Sequence, residues 1–508
     1  MTSARNAPRV AAGTASDRLE TGVPNLDLVL SGGLLQGASA MIIGRPGTGK
    51  TILAQQIAFY LAKRGDATLY LTGYSESHDK LLIHNRELSY FESNLIGDRI
   101  VLGSLPDLLQ RGAAETEAAI VAMVLSQRPT LVVLDGFRSM RGLLGDVQQA
   151  AQLLYSLSAK LAVLGATLLV LVEGDPDDHE RYPELAVCDV ILSLERRRDG
   201  SRHRRLLEVL KVRGTAPLQG VHPFVIDGDG VSLYPRFEAL VRPSSVDWQP
   251  GRACFGIPKL DESIGGGLTT GTTTLVAGTP GTGKTLLGLH LIAEGHRRDE
   301  PTLFLGFMES AAQLRDKARV FGLDLAAAEA TGHTRLMNLP AFDLEADQVA
   351  WALREDIERR GVRRLVVDSV AELERGLASQ DRKPEFLAAL VSYLRGRNVT
   401  TYLTLDVSTI VGPELNFVST PLSVLAENLV LLRQTEYLGA LRRILLILKM
   451  RFCAYDSALR EYTITPNKGF ELLGPAPAAE GLLTGGARPL RENRPKPPPR
   501  SRPGRRGH

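Results

Sequence analysis

The chain has 508 residues, 44% of them apolar and 23% charged, with a net charge of +3. Domains usually run to about 100–200 residues, so two or three are expected, with the composition of a soluble globular protein. The charge is uneven, because residues 475–508 hold eight Lys or Arg against two Asp or Glu, which leaves the body at −3. A body of that charge argues against a surface that grips nucleic acid, except through the tail. No apolar run approaches the roughly 20 residues that span a bilayer, so no membrane association is expected. The first residues, "MTSARNAPRVAAGTASDRLE", lack the apolar core of a signal peptide. Cys188, Cys254 and Cys453 fit neither a disulfide framework nor a zinc site, and the nine histidines show no ligand spacing. A cytoplasmic location is expected.

In chain order, "TGVPNLDLVLSGGLLQG" (21–37) leads into an apolar strand, "SAMIIG" (39–44), and a glycine turn. A helix follows, "TILAQQIAFYLAKRG", with Leu53, Ile57, Tyr60 and Leu61 on one face. "ATLYLT", "TLVVLD" and "ATLLVLVE" are further strands, and "VILSLERRRDGSRHRRLLEVLKV" is a hairpin turning at Asp199-Gly200. Apolar strands alternating with helices imply a mostly parallel sheet covered on both faces.

The pattern then repeats. "FGIPKLDESIGGGLTTG" (255–271) matches residues 21–37, and "TLFLGFMES" (302–310) matches "TLYLTGYSES" (68–77). "RLVVD" (364–368) matches "TLVVLD" (130–135), and "LILKMRF" (446–452) matches "EVLKVRG" (208–214). Four landmarks in one order imply a tandem duplication, with the boundary near "LVRPSSVDWQPG" (240–251). The expected bounds are a disordered segment at 1–16, domains at 17–242 and 243–474, and a disordered Pro/Arg-rich tail at 475–508.

Each copy carries G-x-x-x-x-G-K-T between a strand and a helix. Gly44, Gly47 and Gly49 let the backbone curl so that its N–H groups meet phosphate oxygens. Lys50 is expected on the β- and γ-phosphates of ATP, and Thr51 on Mg²⁺. Gly278, Gly281, Gly283, Lys284 and Thr285 repeat the set. Asp135 and Asp368 each end a strand, where a carboxylate can hold Mg²⁺ through its water shell. Glu173, ending "LLVLVE", is a further polar candidate in the first copy.

The sequence resembles the KaiC family of double-domain RecA-type ATPases. The resemblance rests on the two segments before the loops, the "ES" after the second strand, and "LKVRGT" and "LKMR" late in each copy, and it spans residues 17–474. It implies two RecA-like P-loop domains and a homo-oligomeric ring, usually a hexamer, with ATP bound between neighbouring subunits. It also implies protein partners. Lys211, Arg213, Lys449 and Arg451 would reach the γ-phosphate held by the next subunit, where cations offset developing charge.

Four residues depart from the family pattern. Ser75 and Met308 stand where the family places the first of two glutamates, while Glu76 and Glu309 keep the second and are the candidate catalytic glutamates, which would orient or deprotonate the attacking water. A low rate of hydrolysis is expected. At the segment where clock members accept a phosphoryl group, Ser423 is the candidate phosphosite, but Val424 has no hydroxyl. Phe452 replaces the usual glycine after the second Lys-x-Arg. The leading expectation is an ATPase ring acting in signalling or regulation. A serine autokinase, a nucleotide-bound scaffold with weak catalysis, and a RecA-like DNA-processing ATPase are the alternatives.

Overall fold

The computed structural model describes residues 18–73, 85–110, 112–137, 147–175, 177, 182–200, 202–241, 248, 250–342, 344–407, 421–483 and 487–489. The chain forms two compact units, each built around a nine-stranded sheet.

The first sheet comprises β1 (Ser39–Gly44), β2 (Thr68–Thr72), β3 (Ile100–Ser104), β4 (Leu131–Asp135) and β5 (Thr167–Glu173). It continues with β6 (Val190–Asp199), β7 (Arg202–Val212), β8 (Val221–Asp227) and β9 (Gly230–Leu233). Their spatial order is β3-β2-β4-β5-β1-β6-β7-β8-β9. The first six in that order run parallel, and from β6 onward neighbours are antiparallel.

The second sheet comprises β10 (Thr273–Gly278), β11 (Thr302–Gly306), β12 (Thr334–Asn338), β13 (Arg364–Asp368) and β14 (Thr400–Asp406). It ends with β15 (Asn428–Tyr437), β16 (Ala440–Lys449), β17 (Arg460–Thr465) and β18 (Gly469–Pro475). The order is β12-β11-β13-β14-β10-β15-β16-β17-β18. Adding nine to each label of the first sheet reproduces it, so the expected duplication holds at the level of topology.

The apolar strands bury both faces. Met41 and Ile43 of β1 pack with Leu69, Val132 and Val170 beneath α2 (Ala113–Gln127) and α3 (Val147–Val163). Their neighbours Ala40 and Ile42 pack with Tyr70, Val133 and Leu169 against α1 (Lys50–Lys63). The helix differs from the expected single apolar face. Leu53, Ile57 and Leu61 are buried, but so are Gln55 and Gln56. Gln56 is satisfied there by β9: its Nε2 donates to the Val231 carbonyl at 3.2 Å, and its Oε1 accepts from the Val231 N–H at 2.7 Å. Tyr60 is only half-buried, because its hydroxyl donates to the Glu20 carboxylate at 2.9 Å.

The recurring segment before each loop is a turn closed by an aspartate. Asp27 accepts hydrogen bonds from the backbone N–H and hydroxyl of Thr21, at 3.0 and 2.7 Å. Asp261 accepts three backbone N–H bonds, from Phe255, Gly256 and Ile257. Order also runs past the expected boundary at 474. β18 ends at Pro475, Ala479–Glu480 pairs with Arg488–Pro489, and Leu482 is buried. The few apolar residues of that segment all fall between Ala476 and Leu490, so an average over the whole tail hides them. The segments expected to be disordered at 1–16 and from residue 490 lie outside the described residues.

In the second unit, His290 on α4 (Lys284–Arg297) is buried, and its Nε2 accepts the Phe470 N–H at 3.1 Å. Burial, aided by the Arg297 charge, lowers its pKa to about 4. The unfolded chain therefore takes up a proton near pH 6.5 that the folded one refuses. Stability from this group is complete above pH 6.5 and is lost as pH falls toward 4, by about 3 kcal/mol in all. Urea unfolding of the second unit between those pH values should show the loss. His290→Gln, which keeps an acceptor but takes up no proton, should flatten that part of the profile.

Candidate functional site

The phosphate loops are set by glycines that no other residue could replace without movement. Gly49 caps α1 at φ 106°, and Gly283 caps α4 at φ 96°, both in the left-handed region. A Cβ on Gly49 would lie 2.6 Å from Ile226 Cδ1, and one on Gly283 would lie 2.6 Å from Ile464 Cδ1. Each loop is braced internally: Thr48 Oγ1 donates to the Arg45 carbonyl at 2.9 Å and Thr282 Oγ1 to the Thr279 carbonyl at 2.7 Å.

Lys50 is buried and folds back to donate to the Gly44 and Arg45 carbonyls, at 2.8 and 3.1 Å. Burial lowers its proton affinity, while the charges of Glu173 and Asp135 oppose that shift. Lys284 makes the same bonds to the Gly278 and Thr279 carbonyls, at 2.8 and 3.0 Å, and adds an ion pair to Asp406 at 2.7 Å.

Each loop opens on a cavity. The first, about 330 Å³, is lined by Gly47, Gly49, Lys50, Thr51, Asp135 and Glu173 among others. The second, about 550 Å³, is lined by Gly281, Gly283, Lys284, Thr285, Asp368 and Glu309 among others. Sequence reasoning missed further lining residues: Arg205 and Ile226 in the first cavity, and Arg443, Ile464, Lys317 and Asp406 in the second. Arg205 and Arg443 are repeat equivalents, six residues before Lys211 and Lys449. The Nε atoms of both are buried without a hydrogen-bond acceptor. The duplication itself carried that signal.

Each acidic strand end accepts a hydroxyl. Asp368 Oδ2 accepts the Thr285 hydroxyl at 2.6 Å, and its Oδ1 accepts the Thr404 hydroxyl at 2.5 Å. Asp135 Oδ2 accepts the Tyr70 hydroxyl at 3.0 Å. Among the described residues no group of three or more His, Cys, Asp or Glu could hold a metal by itself. A hydroxyl beside one carboxylate is instead a partial set of hard oxygen donors, of the kind Mg²⁺ completes with phosphate oxygens and water.

The remaining candidates are spread more widely. Glu76 and Ser75 lie outside the described residues. Met308 is 77% exposed at the rim of the second cavity. Glu309 lies in that cavity, where Oε1 is ion-paired with Lys317 of α5 (Ala311–Val320) and Oε2 is buried without a donor. Lys211 Nζ donates to the Ala186 carbonyl at 3.1 Å, and Arg213 pairs with Asp189 at 3.2 Å. Lys449 Nζ donates to the Ala426 and Ser423 carbonyls, at 2.6 and 3.3 Å, and burial and Arg451 lower its proton affinity. None of these four cations is among the described residues that line its own unit's cavity. Ser423 is buried on the short helix Pro421–Leu425, while Val424 is exposed.

A family model described as the ATPase KaiC matches residues 19–238 and again 254–476. The chain belongs to the KaiC ATPase family. It is 25% identical to the circadian clock oscillator protein KaiC of Rippkaea orientalis over 462 residues, covering 88% of this chain and 87% of that one. It is 27% identical to the circadian clock protein KaiC3 of Synechocystis over 485 residues, covering 92% and 94%. The KaiC clock oscillator protein of Thermosynechococcus vestitus is 25% identical over 483 residues, covering 92% and 91%. No helix among the described residues is long and apolar enough to cross a membrane.

One departure within this KaiC-family chain has a clear physical setting. Phe452 takes φ 69°, close to the φ 78° of Gly214 at the matching place in the first unit. A non-glycine residue there costs about 1–2 kcal/mol. Its ring meets Trp248 edge-on, with centroids 4.7 Å apart, a contact worth about 0.5–1.5 kcal/mol. The two nearly offset, so Phe452→Gly should lie within about 1 kcal/mol of the parent in stability. Phe452→Ala keeps the strain and loses the ring, and should be clearly the least stable of the three by thermal unfolding.

Proposed function

We propose that the chain is a slow, Mg²⁺-dependent ATPase that works as a nucleotide-dependent ring in signalling or regulation. The observation that carries this reading is the pair of complete phosphate loops, each opening on a cavity that holds its lysine and strand-end aspartate.

In this reading the loop N–H groups and Lys50 or Lys284 bind the β- and γ-phosphates. Thr51 with Asp135, and Thr285 with Asp368, hold Mg²⁺. When bound, the ion neutralises charge on the phosphate oxygens. In the second unit Glu309 takes the proton of the attacking water. The new oxygen–phosphorus bond forms as the bond to the departing ADP oxygen breaks, and ADP and phosphate result. Glu76 has that role in the first unit. Lys211, Arg213, Lys449 and Arg451 serve the site of the neighbouring subunit. That none of them is among the described residues lining its own unit's cavity supports this, and so does the family's ring habit, for which a hexamer is proposed here.

The slow rate rests on two features of the second site: Met308 offers no base, and Lys317 holds one oxygen of Glu309. The same ion pair favours a second reading, a nucleotide-bound scaffold with little turnover. Autophosphorylation on Ser423 would require that buried side chain to become accessible. A role in nucleic-acid processing has no support outside the basic tail.

Two experiments test the proposal. ATP with Mg²⁺ should shift the sedimentation of the full chain toward a ring. A monomer with and without nucleotide at micromolar protein would sink the ring. Separately, ADP production should rise about tenfold or more in Met308→Glu if a base is regained there, with little change in ATP affinity. Glu309→Gln in the parent decides what Glu309 does: lost turnover assigns it the chemistry, unchanged turnover removes it from the mechanism, and a parent with no turnover at all favours the scaffold.

A further inference from the structure

Lys284 has no spare donor. An ammonium carries three N–H groups, and here they face three acceptors: the Gly278 carbonyl at 2.8 Å, the Thr279 carbonyl at 3.0 Å and Asp406 Oδ1 at 2.7 Å. The lysine side chain is 7% exposed, so water does not compete strongly for it. A phosphate oxygen can meet this ammonium only if one of the three lets go. The two carbonyls belong to the loop itself and neutralise no charge. Asp406 is the anionic member of the set.

The position of Asp406 is built into the sheet. It ends β14, which pairs in parallel with β10, and the register sets Asp406 opposite Gly278, the first glycine of the loop. The carboxylate lines the same cavity as Lys284, Thr285 and Asp368. In the first unit Glu173 holds the matching register position opposite Gly44, and its charge acts on Lys50. An acid at the end of this strand is therefore a property of the repeat, and in the second unit it grips the loop lysine directly.

We infer that Asp406 is an affinity-setting latch of the second phosphate loop, competing with the terminal phosphates of a nucleoside polyphosphate for Lys284. The inference rests on reading Lys284 as a phosphate ligand. The carboxylate acts in two ways. It occupies the donor that the phosphate needs, and it places a negative charge beside the incoming polyanion. Both weaken binding, and both disappear with the charge. The Asp406 side chain is 53% exposed, so solvent screens the pair. The effect is thus that of a partly exposed ion pair, about fivefold in Kd.

The test is equilibrium dialysis of the full chain carrying Lys50→Ala, so that bound nucleotide reports the second site, with ADP and ATP as probes in the presence of Mg²⁺. Asp406→Asn should tighten both by about fivefold, and Asp406→Glu, which keeps the charge, should return binding toward the parent value. Thermal unfolding confirms that each variant is folded. Lys284→Ala in the same background separates the two levels of the argument. If it leaves binding intact, the phosphate-loop reading fails and the latch falls with it. If it abolishes binding while Asp406→Asn binds no tighter than the parent, or more weakly, the loop reading stands and the latch is overturned.

Discussion

Each unit depends on one hydrogen bond, from the loop lysine back to the carbonyl of the glycine that ends the central strand. Gly44 and Gly278 sit mid-sheet, flanked on both sides by paired strands. A Cβ on either would fall within 2.5 Å of a neighbouring strand's carbonyl oxygen, Leu194 for Gly44 and Leu432 for Gly278. The strand can therefore end there only as glycine, and its carbonyl takes the ammonium alongside a backbone N–H, that of Gly174 in the first unit and of Val407 in the second. The left-handed glycines at 49 and 283 then turn the chain into the helix at the right distance. The aspartates, the threonines and the cavity are all placed relative to this fixed point.

The two copies keep the fixed point but support the strand-end aspartate from opposite sides. In the first unit the hydroxyl comes from Tyr70 on β2. The second unit has Phe304 at that place on β11, and the hydroxyl comes from Thr404 on β14, the strand on the other side. In the first unit the residue in register with Asp135 on that side is Leu171, which offers nothing polar. A partly buried carboxylate is satisfied by a donor, and either neighbouring strand can provide it. The two sites thus share a geometry while differing in the chemistry around it.

Much of this was legible from residues alone. The continuous apolar runs, the two glycine loops and the Asp199-Gly200 hairpin became β-strands, helix caps and a turn at nearly the expected places. Three kinds of feature were harder to read. The strand Ile100–Ser104 carries a glycine at 103, where a Cβ would lie 2.6 Å from Leu71 Cδ2 and that side chain would have to shift. The burial of Gln55 and Gln56 runs against any periodicity argument: Gln56 depends on Val231, distant in sequence, and Gln55 Nε2 is buried with no hydrogen-bond partner. The grip of Lys317 on Glu309 and of Asp406 on Lys284 joins residues eight and 122 positions apart. Only the sheet register or the helix face brings such pairs together, and neither leaves a mark in local spacing.

The contact between Trp248 and Phe452 makes part of the molecule optically visible. Trp248 is one of only two tryptophans in the chain. Its indole N–H donates to the Thr270 carbonyl at 3.1 Å, and its ring leans on a residue adjacent in sequence to Arg451. Any rearrangement of the Lys449-x-Arg451 segment changes what surrounds that indole. The emission of the unmodified chain therefore carries a signal from one of its own proposed phosphate-sensing segments, with no label attached.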